Sequence, residues 1–208
     1  MLTWNMLGVL LWVMLILYLL FVVQNIRQRR IRLLIKQQRR FSWGNLGIDV
    51  IELVVLVVAF GSLVNAAWLD NPNLEDRGRI FAKVTYRPLI VTTDKASGQS
   101  NYVAVSAQKT KHGSQTYTVY VAGKRLSLPS TMASIADDVK PLAVDAQHIP
   151  YDKTALVKMD HHFQKAYLAE YRAWYRENWQ NGLGLHAGQL AMHYYLVRVP
   201  DQSFVVVK

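Results

Sequence analysis

The stretch QNIRQRRIRLLIKQQRRFSWGN, residues 24–45, decides the fold because it separates two apolar runs, residues 4–23 and 46–68. The stretch has no acidic residue and seven basic ones, namely Arg27, Arg29, Arg30, Arg32, Lys36, Arg39 and Arg40. An apolar helix of about 20 residues matches the hydrocarbon thickness of a bilayer. The sequence therefore predicts an N-terminal two-helix transmembrane hairpin in residues 1–69, joined by a basic loop.

The charge of this basic loop predicts the orientation of the hairpin. Arginines and lysines close to a membrane span resist translocation and stay in the cytoplasm. Both termini are then extracytoplasmic, which predicts a two-pass protein of the cell membrane. A cleaved secretory signal is the alternative for the first run, but such a signal carries its charge before the apolar stretch, and here the charge follows it.

The basic loop itself has two interpretations. A straight helical continuation of residues 24–40 would reach about 25 Å into the cytoplasm, whereas residues 41–45 can return over at most about 17 Å. A helix lying on the inner leaflet avoids this difficulty, with Ile31, Leu34 and Ile35 in the lipid and the basic residues on anionic headgroups. The alternative is a topology signal with no lipid or protein partner.

Two carboxylates interrupt the second run near its start. Asp49 and Glu52 lie on one helical face at headgroup depth, and acidic residues in a span can mark a proton or ion path. The positive end of the helix dipole and nearby arginines also stabilise carboxylates at this position. The sequence favours this structural interpretation and leaves the ion path open.

Residues 70–208 are long enough for one extracytoplasmic domain with its own core. Alternation of apolar and polar residues predicts an antiparallel sheet. A short helix is predicted over residues 129–139, and a closing hairpin pairs residues 192–199 with 204–207. The strand-like runs are residues 80–86, 89–93, 102–107, 116–121 and 125–128.

One long helix is predicted from Lys153 to Asn181, ended by Gly182 and Gly184. Its apolar stripe would pack on the sheet, which makes the domain α+β. The stripe consists of Leu156, Met159, Phe163, Ala166, Tyr167, Tyr171 and Trp174.

The opposite face of this predicted helix carries a candidate polyanion-binding row. The row would be about 27 Å long, which suits a linear anionic polymer of the cell wall. The alternative is a solvated face that keeps the domain soluble. The four residues are Lys158, Lys165, Arg172 and Arg176.

No catalytic signature stands out in the chain. His161 and His162 are neighbours on the predicted helix and point in different directions, which disfavours joint metal binding. The chain has no serine nucleophile elbow and no glycine-rich phosphate loop. We therefore expect no enzyme activity, no metal, no cofactor and no nucleic-acid partner.

The chain has no cysteine and a net charge of +10. The absence of cysteine excludes disulfides and thiolate chemistry. An exported domain without disulfides is typical of a Gram-positive surface.

Three segments carry a resemblance to a known family. They are Gln24-Asn25-Ile26-Arg27, Arg40-Phe41-Ser42-Trp43 and Asp49-Val50-Ile51-Glu52-Leu53-Val54. Together they resemble a family of uncharacterised two-helix membrane proteins of lactic acid bacteria. The resemblance implies the same topology and a Gram-positive setting, and it implies no catalytic residue.

The sequence as a whole predicts a membrane-anchored binding or accessory module of the cell envelope, with an unknown ligand. Its expected partners are the lipid bilayer, anionic lipids at the cytoplasmic leaflet, and a wall polyanion or a membrane protein. Two alternatives stay open, an accessory subunit of an integral membrane complex and an envelope enzyme without a familiar motif.

Overall fold

The computed structural model describes residues 3–37, 42–93, 100–107, 115–137, 140 and 142–207. The chain forms two compact units. The hairpin unit comprises Met1–Arg79 and Tyr175–Gln189, and the sheet unit comprises Ile80–Trp174 and Leu190–Lys208. The units therefore do not follow the predicted boundary between residues 69 and 70.

Two long helices dominate the hairpin unit. Helix α1 is Thr3–Gln37, and helix α2 is Trp43–Val64, which continues into a π-helical turn, Asn65–Leu69. Both helices are long and apolar enough to cross a membrane, and most of their apolar side chains are exposed. They run antiparallel, because the ring of Trp12 lies against Phe60 while Arg29 contacts Asp49 near the start of α2.

The prediction of a separate surface helix in the basic loop is wrong. Helix α1 runs without a break through Ile31, Leu34 and Ile35 to Gln37. The expected difficulty in closing the loop holds only if the second helix begins at the membrane edge. Instead, the polar end of α1 lies beside the first turns of α2, where Arg29 pairs with Asp49 and Glu52. Binding of anionic lipids by the loop stays a prediction.

A short segment, Tyr175–Gln189, belongs to the hairpin unit, and we call it the hairpin cap. It contains helix α4, Trp179–Leu183, and packs where α1 begins and α2 ends. Asn5 fixes it with two hydrogen bonds to the backbone of Ala187, both 3.0 Å long.

Glycines allow the hairpin cap to approach the two long helices. A Cβ at Gly182 would stand 2.4 Å from the backbone oxygen of Trp4, and one at Gly184 would stand 2.3 Å from that of Ala66. The prediction that these glycines end a long helix is wrong, because the helix at this point is the five-residue α4. Their role is close backbone contact.

The segment after α2 is tied to the hairpin cap by polar groups. Arg79 donates two hydrogen bonds, 2.8 and 2.7 Å long, to the carboxylate of Asp70. These bonds lower the pKa of Asp70 against the opposing effect of burial. Arg79 also bonds the side chain of Asn181, which is almost fully buried.

The described part of the sheet unit is α+β and contains two four-stranded mixed sheets, a two-stranded pair and one α-helix. The first sheet has the order β1-β8-β9-β7, the second has the order β10-β4-β5-β6, and β2 pairs with β3. Helix α3 is Lys153–His162. The strands are β1 Ile80–Pro88, β2 Thr92–Thr93, β3 Ser100–Asn101, β4 Val103–Ala107, β5 Gln115–Val121, β6 Lys124–Pro129, β7 Ala133–Ala136, β8 Tyr167–Tyr175, β9 Leu190–Arg198 and β10 Val205–Val207.

Each of the five predicted strand runs contains a strand, and β4, β5 and β6 pair antiparallel in chain order as predicted, but other parts of the predicted topology are wrong. Residues 129–139 contain strand β7 instead of a helix, and β7 pairs parallel with β9. Strand β10 pairs parallel with β4 in the second sheet, so it forms no hairpin with β9. The sheets are therefore mixed, whereas an antiparallel sheet was predicted.

The long helix predicted from Lys153 to Asn181 is also wrong, because α3 ends at His162. Gln164 and Lys165 adopt positive φ angles of 50° and 59°, and the chain then enters β8. The stretch YLAEYRAWY has aromatic residues at helical spacing, but it also alternates with a period of two, and aromatic residues favour strands.

One apolar core joins the two sheets. Its strictly buried members include Val103 and Val119 from the second sheet and Leu168 and Val197 from the first. The opposite face of the first sheet carries Tyr171, whose ring packs edge-on against the ring of Tyr151. The hydroxyl of Tyr151 donates a 3.4 Å hydrogen bond to the backbone oxygen of Tyr194 on β9.

A buried ion pair fastens α3 to the first sheet. Arg198 on β9 is fully buried and donates two hydrogen bonds, each 3.0 Å long, to the carboxylate of Asp160 on α3. The hydroxyl of Tyr167 donates to the same carboxylate at 2.9 Å. Burial and this hydrogen bond raise the pKa of Tyr167. The remaining nitrogen, Nη1 of Arg198, donates to the backbone oxygen of Lys140 at 3.0 Å, so the pair is satisfied within the protein and has a structural role.

Candidate functional site

A buried carboxylate on the first sheet gathers the most concentrated group of charges in the sheet unit. The side chain of Glu170 is only 6% exposed. Its Oε1 accepts a 2.6 Å hydrogen bond from Nε of Arg172 and lies 2.9 Å from Nε2 of His193. Its Oε2 lies 3.4 Å from Nη2 of Arg87. We call these four residues and Tyr195 the Glu170 cluster.

The strand registers explain why these residues meet. Glu170 and Arg172 are two apart on β8 and therefore share one face of the sheet. In the antiparallel pairing with β9, Tyr195 lies opposite Glu170 and His193 lies opposite Arg172. The rings of His193 and Tyr195 are 4.6 Å apart. Arg87 comes from β1, the neighbouring strand on the other side of β8.

The charges of the cluster keep Glu170 ionised. Burial alone would raise the pKa of Glu170, but the hydrogen bonds from His193 and Arg172 and the charges of both arginines lower it overall. Burial and the charge of Glu170 raise the pKa of Tyr195. The cluster has two permanent positive charges for one negative charge, so its net charge is positive.

Both arginines of the cluster remain accessible from solvent. Their side chains are 52% exposed at Arg87 and 46% exposed at Arg172. Each guanidinium group has five N–H donors, so two of them have more donors than one carboxylate can accept. The arrangement therefore holds two guanidinium groups close together, with donors left for an anionic ligand.

A second charged group lies between the helices of the hairpin unit. Arg29 on α1 forms ion pairs with Asp49, at 3.2 Å, and with Glu52 on α2. The side-chain amide of Asn25 donates a 2.8 Å hydrogen bond to Glu52. Each acid is thus paired with a cation, which favours the structural interpretation of the two carboxylates over an ion path.

The predicted site residues have different locations. Arg27, Arg30 and Arg32 are exposed on α1, whereas Arg29 is partly buried against α2. Lys36 lies near the end of α1, and nothing is described of its side chain. Arg39 and Arg40 lie outside the described residues.

The predicted polyanion-binding row does not exist as one helical face. Lys158 is on α3, Lys165 is in the turn that follows it, and Arg172 is on β8. Arg176 follows β8 and belongs to the hairpin unit. The row is separated because its helix ends at His162. Of the four residues, Arg172 alone belongs to the Glu170 cluster.

The sequence analysis missed Arg87, Glu170 and His193 as site residues. The sequence of β8 did contain a clue to Glu170. Glu170 and Arg172 are two residues apart, so they lie on the same face of the strand, and they are charged residues in an otherwise apolar stretch. Their partners on β1 and β9 depend on strand order, which the sequence pattern does not contain. Among the described residues, no group of three or more His, Asp or Glu side chains is placed to hold a metal ion. The absence of a metal or cofactor stays a prediction.

Comparison with known proteins identifies a family. A protein-family model described as ":-like" matches residues 3–206, nearly the whole chain. The chain belongs to this family. The match spans both the hairpin unit and the sheet unit, and the description names no activity. No curated protein and no solved structure matches the chain.

Proposed function

We propose that the protein is a membrane-anchored binding module of the cell envelope. In this proposal, α1 and α2 cross the membrane, and the Glu170 cluster binds a phosphate-bearing anionic polymer outside the cell. The observation that carries the proposal is the pair of half-exposed arginines held on one buried carboxylate.

The charge distribution of α1 supports the orientation. The basic residues lie at one end of the hairpin, where α1 ends and α2 begins. Positive residues close to a span favour the cytoplasmic side. The other end of the hairpin, with the chain that leads to the sheet unit, is then extracytoplasmic.

The ligand chemistry follows from the donors. Guanidinium groups match phosphate oxygens in geometry and in charge. Glu170 neutralises only part of their charge and fixes both side chains, which reduces the conformational entropy that a ligand has to overcome. Repeating phosphates on a polymer would increase the affinity of a modest site by raising the local concentration of ligand groups.

The test measures binding of the full-length protein in detergent to purified poly(glycerol phosphate). Double substitution of Arg87→Gln and Arg172→Gln is expected to weaken binding by about a hundredfold or more, because each of the two charge-assisted contacts contributes about 1.5–3 kcal/mol. Binding by the unmodified protein is expected to fall as salt rises.

A matched control removes the same charge from another sheet. Lys124 and Arg125 are exposed on β6, so Lys124→Gln with Arg125→Gln should leave binding nearly unchanged. The single variant Arg87→Gln keeps both stronger bonds of Glu170 and should lose part of the affinity without loss of fold. Equal losses in the two double variants, or no binding at low salt, would refute the proposal.

A further inference from the structure

A cavity of about 230 Å³ lies between the polar end of α1 and the start of α2, entirely inside the hairpin unit. It combines basic, polar and apolar groups, and it lies at the end of the apolar spans. Its lining residues are Arg29, Arg30, Leu33, Leu34, Ser42, Asn45, Leu46 and Asp49.

Two buried atoms in its wall have no hydrogen-bond partner within the described part of the chain. One is a donor, Nη1 of Arg29, and the other is an acceptor, Oδ1 of Asp49. They lie 3.2 Å apart as an ion pair but are not aligned as a hydrogen bond. The ion pair balances the charges of these two atoms, but buried polar atoms are normally also hydrogen-bonded, so a ligand that offers both an acceptor and a donor can complete the pair.

The first turn of α2 adds to the attraction for an anion. Ser42 is the N-cap of α2, but its side chain makes no capping hydrogen bond. The N-terminus of a helix carries partial positive charge and free N–H groups. Together with Arg29 and Arg30, this makes one side of the cavity favourable for a phosphate.

We propose that this cavity binds the headgroup of an anionic phospholipid that carries hydroxyl groups, as a phosphoglycerol headgroup does. The phosphate accepts hydrogen bonds from Arg29 and Arg30, and a headgroup hydroxyl donates to Asp49. The leucines of the wall contact the apolar part of the lipid. Basic pockets between membrane helices bind lipid headgroups in this way.

The experiment uses the full-length protein in nanodiscs of phosphatidylcholine, with short-chain phosphatidylglycerol as the added probe. Arg30→Gln is expected to weaken binding by about fivefold, which is the usual effect of one basic residue near a headgroup. Arg32 is exposed on the same helix but does not line the cavity, so Arg32→Gln is the matched comparison: it removes the same charge and should weaken binding less than Arg30→Gln does.

Further arms separate the alternatives. Phosphatidylglycerol should bind more tightly than phosphatidic acid, and Asp49→Asn should reduce this preference, because the carboxylate accepts the hydroxyl. Free glycerol 3-phosphate should compete weakly, since it lacks the apolar part. If the Arg30 and Arg32 variants lose the same amount of binding, the lipid is held by general electrostatic attraction and the proposal of a specific site is wrong. Equal binding of phosphatidylcholine, or competition by glycerol 3-phosphate as strong as by the lipid, would overturn the proposal.

Discussion

Gly184→Ala is expected to destabilise the hairpin unit by about 3 kcal/mol, the upper end of the usual cost of overpacking. The added methyl group would lie 2.3 Å from the backbone oxygen of Ala66 and 2.7 Å from Nδ1 of His186. A backbone oxygen cannot rotate away, so the hairpin cap has to shift. Gly182→Ala should act similarly, because its methyl group would meet the backbone of Trp4.

Thermal unfolding of the full-length protein in detergent measures this effect. Gly61→Ala is the matched control, because Gly61 lies on α2 with no atom within 4 Å of an added Cβ. Alanine is the better helix former, so this control should be neutral or slightly stabilising. If Gly184→Ala melts at the temperature of the unmodified protein, the close packing of the hairpin cap is wrong.

Arg198→Met is expected to cost about 3–5 kcal/mol of stability, the usual effect of breaking a buried ion pair. Arg198 is fully buried, and methionine retains much of its volume, so the loss comes mainly from the unpaired charge of Asp160. Tyr167 would remain as a donor to this carboxylate but carries no charge.

A second substitution separates charge from packing. Arg198→Met combined with Asp160→Leu removes both charges and should recover a large part of the stability, since apolar groups often replace a buried ion pair without cost. In this variant the hydroxyl of Tyr167 can donate instead to the backbone oxygen of Leu156, which lies 3.2 Å away. Arg125→Met on the exposed edge of β6 is the control, with an expected change within about 0.5 kcal/mol. A double variant as unstable as the single one would contradict the role of the ion pair.

The sequence predicted the parts of the structure that depend on local composition. Both long helices follow from long apolar runs, and the runs around Val84 and Val119 have the period of a strand. These patterns are decided within a few residues, so no knowledge of distant partners is needed.

The predictions fail where contacts between residues distant in the sequence determine the structure. Tyr167 and Tyr171 are four residues apart, a spacing that fits both one face of a helix and one face of a strand, and pairing with β9 selects the strand. Gly182 and Gly184 have the sequence pattern of a helix end. Their close contacts with α1 and with the segment after α2 are visible only in the folded structure. Glu170 and His193 are 23 residues apart in the chain and meet only through the register of two strands.

The proposed function depends most directly on the side of the membrane that each part of the chain faces. The chain has no cysteine, so single cysteines can be introduced without background. Gln28 is exposed on α1 within the basic stretch, and Ser127 is exposed on β6 of the sheet unit.

The deciding measurement is labelling of Gln28→Cys and Ser127→Cys by a membrane-impermeant thiol reagent on intact bacteria that express the full chain. The account predicts that Ser127→Cys is labelled on intact cells and that Gln28→Cys is labelled only after the cells are permeabilised. Labelling of Gln28→Cys on intact cells, with Ser127→Cys protected until permeabilisation, would contradict the orientation and place the Glu170 cluster inside the cell.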